Sequence, residues 1–193
     1  MTAYASITDF KNYARIESTD TTDDAVIGDI LEGASRLIDT ETRRTFFARI
    51  ETRKYDVPDG NTLYIEDDDL LAITTLTNGD DTTLASTEYI LLPANANPKY
   101  AVKIKDSSAY SWEAESDGNN EQVIEILGSW GYSYSPPADI VEACLQIATA
   151  FYHRRFGENM AAESTLTAGG VMITPRDVPA SVRTILMNYA RLA

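Results

Sequence analysis

The sequence predicts an α+β protein: a small helical bundle with an antiparallel β-domain inserted between its second and third helices. Two patterns predict this. On either side of a middle section, apolar residues recur every three to four positions, the period of amphipathic helices. From about Ile50 to Tyr134 the chain instead breaks into short apolar or alternating runs divided by turn residues, the pattern of paired strands. The expected modules are 1–49 with 135–193 for the helical part and 50–134 for the β-domain.

The first helix is expected from Ile7 to Ile16. Ser6 stands at the N-cap with Asp9 three residues on, as in a capping box. Phe10, Tyr13 and Ala14 share one face, and "ESTDTTDD" follows as a polar loop. The second helix starts near Asp23, capped by Thr21 or Thr22. Asp23 and Asp24 suit its positive end. Its apolar stripe is Ile27, Ile30, Leu31, Ala34, Leu37 and Ile38, and it ends near Arg43 or Arg44. Gly28 and Gly33 lie inside it at a cost of about 1 kcal/mol each relative to Ala. Close packing of another backbone is the expected reason.

The strand candidates are "RKYDV", "NTLYIE", "AITTLT", "EYILL", "AVKIK" and "QVIEIL". Pro58-Asp59-Gly60, Asn78-Gly79-Asp80, the stretch from Pro93 to Pro98, and Asp117-Gly118-Asn119 separate them. A third helix opens at Pro136-Pro137, where the first turn requires no backbone donors. Ser135 is its expected cap. Two adjoining stripes, Ile140/Cys144/Ile147/Phe151 and Val141/Leu145/Ala148/Tyr152, mark it as central to the core. His153, Arg154 and Arg155 close it, and Gly157 terminates it. A long connection to Pro179 follows, within which "TAGGVMI" is read as flexible. The last helix runs from Ala180 to Leu192 with Val182, Ile185, Leu186 and Tyr189 on one face.

The chain has 193 residues, 44% of them hydrophobic and 24% charged, which is ordinary for a globular protein. No apolar run reaches the roughly 18 residues that span a membrane. The N-terminus shows no signal-peptide pattern. A single cysteine, Cys144, rules out an intrachain disulfide. The net charge of −14 opposes binding to free nucleic acid or anionic membranes.

Catalysis has little support, and no catalytic, cofactor or metal site is assigned. His153, the single histidine, sits at a helix end where positive charge is favoured. Cys144 lies on an apolar stripe with no base beside it. The acidic run Glu66–Asp69 could attract a divalent cation. In a strand, however, only alternate carboxylates converge, so a solvated turn is the simpler reading. Phosphate loops, dinucleotide fingerprints, zinc spacings and nucleophile elbows are missing from the sequence. Trp130, Tyr132 and Tyr134 alternate in "GSWGYSYS" and would share one face of a strand. Packing between the two modules is the expected use. A ligand-binding face on the β-domain is the alternative.

The order of these pieces resembles the head–tail connector (adaptor) proteins of long-tailed bacteriophages. The resemblance runs through "ITDFKNYARIESTDTTDDAVIGDILEGASRLIDTETRRTF", with Phe46 or Phe47 following Arg43 and Arg44. It continues in "RKYDVPDGNTLYI", "EILGSWGYS", "PPADIVEACLQIATAFYHRRFG" and "DVPASVRTILMNYARL". It implies a non-enzymatic structural protein of the virion neck, assembled in the host cytoplasm without cofactors or membrane. Such proteins form a ring, commonly of twelve subunits, between the portal protein and the next neck or tail component. DNA passes through the centre without sequence-specific binding. By the same resemblance, the segment from Gly169 onward faces the portal, with Arg183, Met187 and Arg191 as docking candidates. Asp67, Asp68 and Asp69 are candidates for the channel or an exposed rim.

Overall fold

The computed structural model describes residues 3–65, 68–156, 164–167, 170–173 and 179–191. Among these the helices are α1 (Ile7–Ala14), α2 (Asp24–Thr42), α3 (Ala138–Phe156) and α4 (Ala180–Tyr189). The strands are β1 (Arg49–Tyr55), β2 (Thr62–Tyr64), β3 (Leu70–Thr77), β4 (Tyr89–Leu92), β5 (Ala101–Ile104), β6 (Ile124–Trp130), β7 (Ser164–Thr167) and β8 (Gly170–Ile173). The chain is α+β and divides into two compact units, Met1–Arg43 with Pro136–Ala193 and Arg44–Ser135.

In the helical unit, α2 and α3 pack on each other and both meet α1 and α4. Ile27, Leu31, Ala34 and Ile38 of α2 are buried, as are Ile140, Cys144, Ile147 and Ala148 of α3. The capping box of α1 is present in both directions, with the Asp9 amide donating to Ser6 and the Ser6 amide donating to Asp9. The helix stops at Ala14 because Arg15 turns left-handed at φ 58°. Lys11 is buried beside Phe10, which the apolar pattern alone did not indicate. Its ammonium donates to the Asp20 carbonyl at 2.6 Å and pairs with Asp24 at 2.5 Å, so it anchors the polar loop between α1 and α2.

Three expectations about helix ends and glycines are corrected. The N-cap of α2 is Asp23, not Thr21 or Thr22, and it makes no side-chain cap bond. Its carboxylate instead accepts from the Tyr152 hydroxyl at 2.9 Å. At the start of α3 the Pro137 carbonyl accepts from the amides of Ile140 and Val141, both at 3.0 Å, which puts Pro137 at the cap position expected for Ser135. Gly28 and Gly33 mark no close backbone approach: a Cβ on Gly28 would touch Ile7 at an ordinary 3.8 Å, and one on Gly33 would meet nothing within 4 Å.

The connection expected to be an unstructured loop contains β7 and β8. They pair antiparallel from Ser164↔Ile173 to Thr167↔Gly170. "TAGGVMI" is therefore partly a strand. Gly157, given a helix-ending role from the sequence, lies outside the described residues, as does Leu192.

The β unit contains two antiparallel three-stranded sheets, ordered β1-β6-β3 and β2-β5-β4. Leu63, Ile65, Val102 and Ile104 from one sheet and Leu70, Leu76, Ile124, Ile126 and Trp130 from the other form a single apolar core. Strand β3 carries two register shifts against β6, between Leu70 and Ala72 and between Ile73 and Thr75. Gly128 sits opposite this irregularity, and a Cβ there would lie 2.5 Å from the Ala72 carbonyl oxygen. The Asn78-Gly79-Asp80 signal is a tight turn. Asp81 adopts φ 64° and its amide donates to the Asn78 carbonyl at 3.0 Å.

Candidate functional site

The acidic run and the aromatic motif, separate in sequence, meet through two arginines inside the β unit. Trp130 ends β6 with 1% of its surface exposed, and its indole N–H donates to the Glu51 carbonyl at 2.9 Å. The Arg53 guanidinium lies 4.7 Å from the centre of its ring, within cation–π range. Arg53 also ion-pairs with Asp68 and, at 3.2 Å, with Glu51. Tyr55 stands beside Trp130 and donates to Asp68 at 3.2 Å. Burial pushes the Tyr55 hydroxyl up to about 12, so it remains a donor throughout the neutral range.

The neighbouring acid and the next aromatic of the motif form a second arrangement of the same kind. Arg44 pairs with the buried Asp69 at 2.5 Å and lies 5.2 Å from the centre of the Tyr132 ring. Tyr132 packs on Phe46, and its amide donates to the Thr45 carbonyl at 2.7 Å. The Gly131 amide donates to the Asp69 carbonyl at 2.7 Å. Gly131 has φ 148°, and a Cβ there would lie 2.7 Å from the Phe47 carbonyl oxygen. A side chain at this position is excluded, which explains the glycine between the two aromatics.

These contacts decide what the two motifs can do chemically. Asp68 and Asp69 are neutralised by guanidinium groups. Asp67 and Glu66 lie outside the described residues. Among the described residues no group of three His, Cys, Asp or Glu side chains converges to hold a metal ion. Strand periodicity ends at Trp130, so Trp130, Tyr132 and Tyr134 do not continue along one strand face. Trp130 belongs to the β core, Tyr132 is half-buried, and Tyr134 is 61% exposed. Sequence reasoning missed Arg44 and Arg53. Arg53 alternates with Glu51 along β1 like ordinary surface charge, Arg44 lies between α2 and β1, and their aromatic partners are about eighty positions away.

Among the described residues, the surroundings of Cys144 and His153 form no catalytic arrangement. Cys144 is buried between α2 and α3 with its Sγ 3.5 Å from the Ser35 hydroxyl. Burial pushes its thiol up, away from the reactive thiolate. His153 is exposed in the last turn of α3.

The docking candidates fall at the end of the helical unit. Arg183 and Met187 lie one helical turn apart on α4, and Met187 is 75% exposed. With Glu41, Leu186 and Ala190 they line a groove of about 340 Å³. Arg191 lies beyond the helix, where Ala190 is extended at ψ 130°. Its amide donates at 3.0 Å to the carbonyl of Thr42, the last residue of α2. The Tyr189 hydroxyl donates to the Asp139 carboxylate at 2.7 Å, tying the end of α4 to the start of α3.

The architecture is shared with known particle proteins. The chain is similar to one in the neck of an empty GTA particle computed with C6 symmetry, with a TM-score of 0.63, 17% identity, and coverage of 100% of this chain and 94% of that one. It is also similar to a chain of the virion of a native gene transfer agent (GTA) particle, with a TM-score of 0.60, 16% identity, and coverage of 98% and 91%. No curated protein matches. The family model for head completion proteins matches residues 3–192, nearly the whole sequence. In agreement with the connector resemblance of its sequence, the chain belongs to the head completion protein family.

Proposed function

We propose that this protein is a structural component of the virion neck. On this reading it forms a ring between the portal of the filled head and the next neck or tail component, and DNA passes through the centre. The observation that carries the reading is the head completion match over residues 3–192. The fold shared over the full length with a chain from a particle neck supports it. A net charge of −14 fits a ring that encloses DNA without gripping it, because a basic lumen would hold the phosphates.

Within this reading the exposed end of α4 docks on the portal. Met187 supplies apolar contact, and Arg183 and Arg191 meet acidic partner surfaces. Asp67 and Asp68 of the acidic run lie at the channel or rim; Asp69, the third candidate, is buried against Arg44 and does not belong to that set. Replacing Asp67 and Asp68 with Asn tests the point through DNA retention and ejection. Tryptophan fluorescence of the variant separates such an effect from loss of the Arg53 pair.

The function itself is tested by producing particles without this chain. DNA-filled heads lacking tails, restored to complete particles by adding the purified protein, are the expected result. Complete, infectious or transfer-competent particles in its absence would overturn the reading.

A further inference from the structure

We propose that β7 and β8 form a joint between copies of this chain, the β8 edge of one copy pairing antiparallel with the β7 edge of the next. The proposal rests on the ring reading above. It starts from a two-stranded sheet in which, among the described residues, neither strand pairs with a further strand, so each presents an edge. A lone two-stranded hairpin is marginal in water, and an unprotected edge is a template for another strand.

Other edges in this chain carry recognised protection. Strand β1 bears Arg49, Glu51, Arg53 and Lys54 along its length. Strand β3 is broken by its two register shifts. Strand β4 is followed at once by Pro93, and β2 is three residues long and precedes the acidic run. The hairpin differs. The whole stretch from Ser164 to Ile173, "STLTAGGVMI", contains no charged residue and no proline, and it is rich in Thr, Val, Ile and Leu.

The occupant follows from the geometry of two edges. A strand from one unrelated partner would satisfy one edge and leave the other open. In a cyclic assembly the same contact repeats at every copy, so the neighbours on either side supply both missing strands. Hairpins alternate in direction, so successive copies continue an antiparallel ladder. Closure of the ring then removes every edge, as in an up-and-down barrel.

Thr165 and Met172 are register partners within one hairpin. Placing Thr165→Cys on one set of chains and Met172→Cys on another therefore removes the intramolecular link. Particles assembled from the mixture would be treated with a short bis-maleimide and imaged by electron microscopy. The expected result is covalent dimers joining the two chain types in particles, with none when the same free chains are diluted. A visible ring without such dimers would overturn this proposal and leave the neck function standing. Particles with no ring would overturn both. As a second measurement, Thr165→Lys with Met172→Lys charges both edges. The variant should fold, with native tryptophan emission and a protected Cys144, while its incorporation into particles falls about tenfold or more. Unchanged incorporation would count equally against the joint.

Discussion

Replacing Asn78 with Ala should destabilise the β unit by about 2 kcal/mol. Asn78 is buried at the end of β3 and acts as a bridge to a distant loop. Its side-chain amide donates to the Ser111 carbonyl at 2.8 Å, and its oxygen accepts from the Glu113 amide at 3.0 Å. Alanine removes both bonds. A fully buried orphan would cost up to about 3 kcal/mol, but Ser111 and Glu113 are themselves exposed, so water can reach the released groups. The lower figure of about 1 kcal/mol per bond therefore applies. Trp112, buried between the two anchors, should become more accessible.

The assay is urea unfolding followed by tryptophan fluorescence. The chain has two tryptophans, Trp112 and Trp130, both in the β unit, so the signal reports that unit. With an m-value of about 2 kcal/mol/M, the midpoint should fall by about 1 M at unchanged slope. The native emission should shift to the red. A midpoint change below about 0.3 M with unaltered emission would show that the bridge contributes nothing and refute the reasoning.

Gly33→Ala should stabilise the helical unit by nearly 1 kcal/mol, since the added methyl meets open space in a helix interior. Slower labelling of Cys144, the single cysteine and a resident of that unit, would register the gain. Gly79→Ala should have the opposite sign in the β unit, at roughly 2–3 kcal/mol. Its Cβ would fall 2.2 Å from the Glu113 carbonyl oxygen, and thermal melting by fluorescence would record the loss. The Asp9 carboxyl is held below its ordinary value by hydrogen bonds from the Ser6 side chain and backbone. Its stabilisation of α1 is therefore present above the unfolded value and is lost as pH falls through the lower folded one. Protection of the amides at the start of α1, taken relative to their intrinsic exchange rate at each pH, should fall on acidification in the native protein and lose that dependence in Asp9→Asn. Met187→Glu should leave the fluorescence-detected unfolding and the labelling of Cys144 unchanged and abolish attachment to portal-bearing heads, measured by co-sedimentation.

The helices and the six strands of the β unit were legible because each rests on local information. Ile27 to Ile38 repeat at helical spacing, Ser6 and Asp9 form a box within one turn, and Asn78-Gly79-Asp80 encodes its own turn. The strands β7 and β8 were missed because "STLTAGGVMI" is short, and its central glycines are as consistent with a loop as with a hairpin. Lys11 was missed because its burial depends on Asp20 and Asp24 across a turn of the chain. The roles of Asp68 and Asp69 were obscured for a similar reason. A run of acids has no visible partner until β1 and the segment just before it bring Arg53 and Arg44 beside it. Gly131 reads in the sequence as a spacer between aromatics, and only its approach to Phe47 shows why no other residue fits. Pairing information of this kind is long-range, and a period-based reading of one chain does not contain it.

The central claim is that the protein completes the neck as a ring on the portal. Purified protein should be added to DNA-filled, tailless, portal-bearing heads, and the vertices imaged by cryo-electron microscopy. The account predicts a new closed ring of density beneath the portal that accommodates the fold, with α4 toward the head and an open centre. Cognate heads that gain no density at the vertex, or gain it elsewhere on the capsid, would contradict it.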